Sequence, residues 1–237
     1  MIKKFLLELF FPKFCFNCQK EGSYLCEDCK SLIGVLQIHQ RYSGKNLKDL
    51  YWAAPYTNPL IKNLIQKFKY EPFVRNLSKS LSSLIIEHFQ LLDNKPGFFN
   101  FSPYSFLSNE PNQKEYIKSS PEFILIPVPL EKRKLKWRGF NQAEEISKEL
   151  SIFLKIPVIR DCLLKIKETI PQVELLEKER ERNVLGAFLV RNENRIKERR
   201  ILLVDDIYTT GSTMEECARV LKEAGVKEVI GIVIARG

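Results

Sequence analysis

The residues best placed to do chemistry fall in two groups. The first is a set of four cysteines. Cys15 and Cys18 make one C-x2-C knuckle, Cys26 and Cys29 a second, and seven residues separate them. Each knuckle presents two thiolates to one ion. Two knuckles close a tetrahedral four-sulfur shell with no open position, so such a site is structural and suits zinc. Two disulfides are the other use of four thiols, and a reducing compartment disfavours them. The second group lies within residues 201–213, I-L-L-V-D-D-I-Y-T-T-G-S-T. Its first four residues have the apolar character and length of a buried parallel strand. Asp205 and Asp206 set two carboxylates where that strand is expected to end. Thr209, Thr210, Gly211, Ser212 and Thr213 then supply hydroxyls and one glycine. A helical pattern through Cys217, Ala218 and Leu221 follows, stopped by Gly225.

Charge decides what this order of parts can hold. A small-residue turn before a helix offers backbone N–H groups and the positive end of the helix dipole to an anion, and glycine permits close approach. Carboxylates would repel that anion, so they must face another part of the ligand. Neighbouring sugar hydroxyls are good donors to adjacent carboxylates, and a sugar phosphate satisfies both halves at once. The competing readings are an acid-ended strand of a nucleoside triphosphatase and a helix start with no ligand. Neither G-x-x-x-x-G-K-[ST] nor G-x-G-x-x-G occurs. Their absence removes the triphosphatase and the dinucleotide fingerprint.

The elements that must position these groups follow from periodicity. Residues 51–56 read as a strand. A helix begins near Pro59 with Leu60, Ile61, Leu64, Ile65 and Phe68 on one face, and Lys62, Lys67 and Lys69 are expected to point elsewhere. Residues 76–92 carry a second amphipathic helix. Residues 94–121, rich in Asn, Ser, Pro and Phe without a period, read as a long mobile insertion whose aromatics either stack on bases or pin the loop to the surface. Residues 123–128 should form the first central strand. Beyond it, Lys132, Arg133, Lys134, Lys136 and Arg138 crowd a loop that holds one acid, Glu131. In open parallel sheets, ligands sit outside the carboxyl ends of strands. That basic loop therefore points to the same crevice as the aspartates, unless it is simply solvated. A helix over 143–155, a strand region in 156–166, a charged segment over 169–183, a return toward the sheet over 184–190 and a last strand over 226–235 complete the pattern. With the last strand near the end of the sequence, any acceptor is expected to be recognised by the amino-terminal half or by a partner.

The chain has 237 residues, 44% of them hydrophobic, enough for one large domain and a small module. Its net charge of +9 favours phosphate-rich partners, although charge alone decides little. Residues 1–11 hold two lysines and an apolar stretch, but Glu8 interrupts it and no small-x-small cleavage site follows, so a short amphipathic helix is expected. No run reaches the roughly 18 apolar residues of a membrane span, and a cytoplasmic protein is expected. Cys162 and Cys217 read as buried small hydrophobes. His39 and His88 read as ordinary surface or half-buried residues.

The stretch V-D-D-I-Y-T-T-G-S-T closely resembles the phosphoribosyl-diphosphate signature of type I phosphoribosyltransferases. Carried over, the resemblance gives the ribose to Asp205 and Asp206. It gives the 5′-phosphate to Thr209, Thr210, Gly211, Ser212 and Thr213. It brings a diphosphate, with Arg133 and Arg138 as its contacts, the Mg2+ that travels with it, and a lid over 169–183 with Arg180 and Arg182 as contacts. The cysteine knuckles, Y-T-N-P-L-I-K…F-K-Y, I-P-V-P-L…R-G-F-N-Q-A, T-I-P-Q…E-R-x-N-V-x-G-A-F and the aspartate stretch occur in an order that resembles the ComF family, ComFC type, over nearly the whole chain. That resemblance implies an α/β fold, a Rossmann-like parallel sheet of the type I phosphoribosyltransferase class with a small amino-terminal zinc-ribbon module. Residues 1–48 would hold the amino-terminal helix and the four-cysteine module, and residues 49–237 the phosphoribosyltransferase-like domain. It further implies a role in DNA uptake during natural transformation, single-stranded DNA as a partner, and association with a DNA-uptake helicase. Catalysis of transfer to an acceptor is the alternative use of the same site.

Overall fold

The computed structural model describes residues 12–42, 44–70, 72–93, 122–167 and 184–237. The helix expected over 1–11, the insertion over 94–121 and the lid segment over 169–183, with Arg180 and Arg182, lie outside the described residues. In chain order the elements are α1 (Glu27–Ser31), β1 (Asp49–Pro55), α2 (Pro59–Lys69), α3 (Leu77–Asp93), β2 (Phe123–Pro127), α4 (Lys132–Arg138), α5 (Gln142–Leu154), β3 (Leu163–Lys165), β4 (Phe188–Val190), β5 (Arg200–Val204), β6 (Ile207–Tyr208), α6 (Ser212–Glu223) and β7 (Glu228–Arg236).

The main sheet is parallel throughout, in the order β1-β7-β5-β2, with β6 on β7. Its strands are almost wholly buried, as a parallel sheet between two helical layers requires. Alternate residues feed two cores. Leu202, Val204, Ile230 and Ile232 face a layer made by α2, α3 and α5, where Leu64, Ile65, Leu84 and Ile146 pack. Ile201, Leu203, Val229 and Val233 face the other side, where Cys217 and Leu221 of α6 meet Leu163 and Phe188.

The cysteine segment docks on the first of these layers. Cys15, Leu25, Cys26, Cys29, Ile33 and Val35 belong to the same core as α2 and α3. Lys30 pairs with Glu87 of α3 at 2.9 Å, and the Lys67 ammonium sits 4.8 Å above the Phe16 ring. Asn58 joins the two parts. Its Oδ1 accepts from the N–H groups of Leu60 and Ile61 at 2.9 and 3.2 Å, capping α2, and its Nδ2 donates to the Ile33 carbonyl at 3.3 Å.

Three expectations change, and one strand takes a place the sequence left open. The strand at 123–127 is the end member of the sheet's order, flanked beyond only by a parallel bridge between Leu125 and Val158 among the described residues. The carboxyl-terminal strand, β7, is central, between β1 and β5. The basic stretch is a helix, α4, rather than a loop, because Lys, Arg and Leu are good helix formers and nothing breaks the pattern before Gly139, which closes α4 with φ of 81°. Finally, β3 and β4 pair with each other in an antiparallel ribbon and do not join the main sheet.

Asn58→Ala removes the α2 cap and its tie to Ile33 together. Urea unfolding should show a loss of about 1–2 kcal/mol, and a loss within error of zero would mean that α2 is held by core packing alone.

Candidate functional site

The acidic pair lies directly after Val204, where its strand ends, as the sequence suggested. It sits in a gap within one ladder. Val204 of β5 faces Ile232 and Ile207 of β6 faces Ala235, so the register on β7 is unbroken. Asp205 N–H donates to the Ile232 carbonyl at 3.0 Å, and the Asp206 carbonyl accepts from Ile234 at 3.1 Å and from Ala235 at 3.3 Å. The two side chains meet different layers. Asp206 follows Leu202 and Val204 toward α2, where its Oδ1 lies 2.8 Å from Lys69 Nζ. Asp205 follows Ile201 and Leu203 toward α6, and its charge helps burial to raise the Cys217 thiol.

Burial, joined by the neighbouring Asp206 charge, pushes the Asp205 carboxyl up to about 7, while Lys69, the Asp206 N–H (2.9 Å to Oδ1) and Lys165 work against that rise. Burial opposes the Lys69 ammonium too, but the Asp206 and Asp205 carboxylates outweigh it and its pKa is raised. Burial lowers Arg138, which Asp206 and Tyr70 partly restore. Burial and the Lys134 charge lower Lys165, with Glu131, Cys217 and Asp205 acting the other way.

The hydroxyl turn follows β6. Gly211 has φ of 80°, and a Cβ there would collide with the Tyr208 hydroxyl, so only glycine fits on both counts. As the N-cap of α6, Gly211 brings no side-chain oxygen, and the first turn of the helix is left without a side-chain cap. Thr210 Oγ1 and Ser212 Oγ lie 3.0 Å apart. Thr209, Thr210, Gly211, Ser212 and Thr213 thus form one rim at the carboxyl edge of the sheet, beside Asp205 and Asp206.

Residues before β1 brace this rim from below, a contribution no sequence motif indicated. The Tyr42 and Tyr208 hydroxyls hydrogen-bond to each other, and Tyr42 also donates to Glu215 Oε1 at 3.1 Å. Glu215 Oε2 accepts from Asn46 N at 2.6 Å and Leu47 N at 3.3 Å. A Cβ on Gly44 would collide with Glu215 Oε1, which explains a glycine there. Arg236 lies over the rings of Trp52, Tyr42 and Tyr208 at 4.7, 5.4 and 6.0 Å.

Of the two arginines expected at the site, Arg138 is half-buried, faces Tyr70 at 6.0 Å and feels Asp206. Arg133 is exposed on α4, and among the described residues no contact joins it to the aspartates. Lys69, expected to point away, is instead part of the site. The missed signal was helical spacing: Lys69 lies four residues after the buried Ile65, on the same face of α2. Of the histidines, His39 is half-buried as expected, and His88 differs from expectation. His88 is fully buried with Nδ1 2.6 Å from the Leu36 carbonyl, and His39 pairs with Asp49 at 2.9 Å while stacking on Tyr51. Cys162 and Cys217 are buried, as expected.

The four knuckle cysteines come together as a second site. Their sulfurs all lie within 4.8 Å of one another and none is in a disulfide. Asn17 Nδ2 and the Cys29 N–H point at Cys29 Sγ and Cys26 Sγ at 3.3 and 3.4 Å, which suits electron-rich thiolates. This set could hold a metal ion. Among the described residues no helix is long and apolar enough to cross a membrane.

Known proteins share parts of this arrangement. A phosphoribosyl transferase domain family matches residues 136–237. Competence protein F of Haemophilus influenzae is 31% identical over 224 residues, covering 91% of this chain and 86% of that protein. DNA utilization protein YhgH of Shigella flexneri is 35% identical over 105 residues, 44% of this chain and 45% of that protein. Competence protein ComFC of Bacillus subtilis is 35% identical over 103 residues, 44% of this chain and 40% of that protein. Among solved structures, a purine phosphoribosyltransferase from Pyrococcus horikoshii covers 58% of this chain and 83% of its own, at 16% identity and a TM-score of 0.28.

Two outcomes are expected from the geometry alone. Gly211→Ala forces a Cβ against Tyr208 and a left-handed backbone on alanine, and should lower stability by about 1–3 kcal/mol in denaturant titration. The second concerns pH. The Asp205 carboxyl is raised on folding, so its ionisation opposes the folded state. Stability from this group is full below its unfolded value near ~3.9, and is lost as pH rises through about 7. Asp205→Asn should therefore melt higher than the parent at pH 8 in the absence of ligand, with the gap closing toward pH 4. A gap that widens on acidification would show that the carboxylate, not the acid, is the form the fold favours.

Proposed function

The chain belongs to the ComF family of competence proteins, and from that premise we propose that its phosphoribosyltransferase-type domain binds phosphoribosyl diphosphate and acts in DNA uptake with single-stranded DNA. One observation carries the reading: a glycine-capped helix start and an acidic pair share the carboxyl edge of a parallel sheet. Thr209, Thr210, Gly211, Ser212 and Thr213 receive the 5′-phosphate through main-chain N–H groups and hydroxyls. Asp205 and Asp206 take the ribose hydroxyls. Arg138, with Arg133 as an outer contact, takes the diphosphate, which arrives with Mg2+. Cys15, Cys18, Cys26 and Cys29 hold a structural zinc ion that fixes the amino-terminal segment against α2, in the reducing cytoplasm where thiolates persist. A net charge of +9 supports contact with single strands, and the names of the relatives support DNA uptake, with a helicase as a further partner.

Asp205 favours a second reading, transfer to an acceptor. A carboxyl near 7 has the proton affinity of a general base at neutral pH. An acceptor N–H or O–H would bond to the sugar's C1 as the C1–O bond breaks. The acceptor's proton would pass to Asp205, and diphosphate would leave with the bond's electrons.

Calorimetry of the full chain with phosphoribosyl diphosphate and Mg2+, and separately with single-stranded DNA, tests both. The parent should bind the sugar diphosphate, and Asp205→Asn with Asp206→Asn should weaken that binding at least tenfold with zinc content unchanged. Unchanged affinity in the double variant would remove the ribose assignment. DNA affinity should fall steeply with salt, and diphosphate release upon adding candidate acceptors would decide for transfer.

A further inference from the structure

Lys69 and Asp206 form an unequal pair. The Asp206 side chain is 5% exposed and that of Lys69 is 27% exposed. Asp206 is fixed by its carbonyl, which accepts two β7 N–H groups in the ladder. Lys69 is the last residue of α2 and carries its ammonium on a flexible four-carbon stem that reaches the crevice. The lysine is therefore the partner that can move. A second cation stands ready beside it. Arg138 lies across the Tyr70 ring at 6.0 Å, and its buried Nε has no partner among the described residues. Lys69 pairs with the buried Asp206 carboxylate and Arg138 feels the same charge, while Tyr70, next to Lys69 in sequence, lies under Arg138.

We propose that Lys69 is an exchangeable counter-ion and sets the specificity of the site for a sugar that carries a diphosphate. The proposal rests on the reading of the site as one for phosphoribosyl diphosphate. In the free protein Lys69 neutralises Asp206. When ribose hydroxyls donate to that carboxylate they displace the ammonium, which is then left half-buried and uncompensated. A ligand that brings a diphosphate on C1 supplies the missing anion in the same molecule, and Lys69 moves onto it together with Arg138. Ribose 5-phosphate offers the same diol and 5′-phosphate but no anion for the displaced lysine. It must break the Lys69–Asp206 pair without replacing it. No covalent bond forms or breaks in this step. The ammonium only changes partners.

The test compares two ligands on one variant. The parent and Lys69→Met are titrated with phosphoribosyl diphosphate and with ribose 5-phosphate, both with Mg2+, by calorimetry. The parent should bind the diphosphate compound more tightly. Lys69→Met should lose at least tenfold in affinity for it, while ribose 5-phosphate binds as well as before or better, because nothing has to be displaced. A parallel loss with both ligands would mean that Lys69 only supports the fold, and an unchanged preference would mean that it does not meet the diphosphate. Either result overturns the proposal. If Lys69→Met does not fold, Lys69→Gln, which can still donate to Asp206 without charge, is read by the same criterion. A parent that binds neither compound overturns the sugar-phosphate reading itself. That failure is distinct from one confined to Lys69.

Discussion

The structure turns on a gap in one β-ladder. Between β5 and β6 the chain keeps its pairing on β7, and Asp205 and Asp206, the two residues in the gap, meet different layers. This constraint divides the labour of the site. Asp206 enters the layer of α2 and meets a lysine. Asp205 enters the layer of α6 and meets the apolar packing around Cys217. Two adjacent, chemically identical carboxylates acquire different partners because they meet different layers.

The amino-terminal segment supports the site from both sides. Its cysteine cluster is packed into the core shared with α2, and through Asn58 and Ile33 it helps set where that helix begins. Its later part, from Tyr42 to Leu47, reaches the other face and gathers the Glu215 carboxylate and the Tyr208 hydroxyl, which stand directly under the glycine turn. A metal in the cysteine cluster would act on the site through mechanics, by holding α2 and so Lys69, and not through chemistry at the substrate.

Buried charge works against the stability of this arrangement. An isolated buried carboxylate is destabilising, and pairing offsets that only with good geometry. Asp206 meets the condition through Lys69 at 2.8 Å. Asp205 has no such close cation among the described residues, and its carboxyl is correspondingly raised. The site is thus held against a loss of stability, a common feature of functional sites.

The local patterns were legible in the sequence because local physics produces them. Apolar runs at 201–204 and 226–235, the helix start near Pro59, the stop at Gly225 and the two cysteine knuckles each follow from a few adjacent residues, and each is found where expected. Gly211 could be read as a turn glycine, but that the Tyr208 ring also excludes any Cβ there depends on the fold. Strand order, the placing of β2 at the end of the sheet's order, and the meeting of Tyr42 with Glu215 across more than a hundred residues join positions with no common local signal. Lys69 is the intermediate case. Its four-residue spacing from Ile65 put it on the buried face, yet a lysine at a helix end is ordinarily solvated. The sequence by itself determined which groups could bind an anion, a diol and a metal, since those properties belong to residue types and short spacings. Only the tertiary structure decided which charges face one another, because burial and distance arise when separate elements pack.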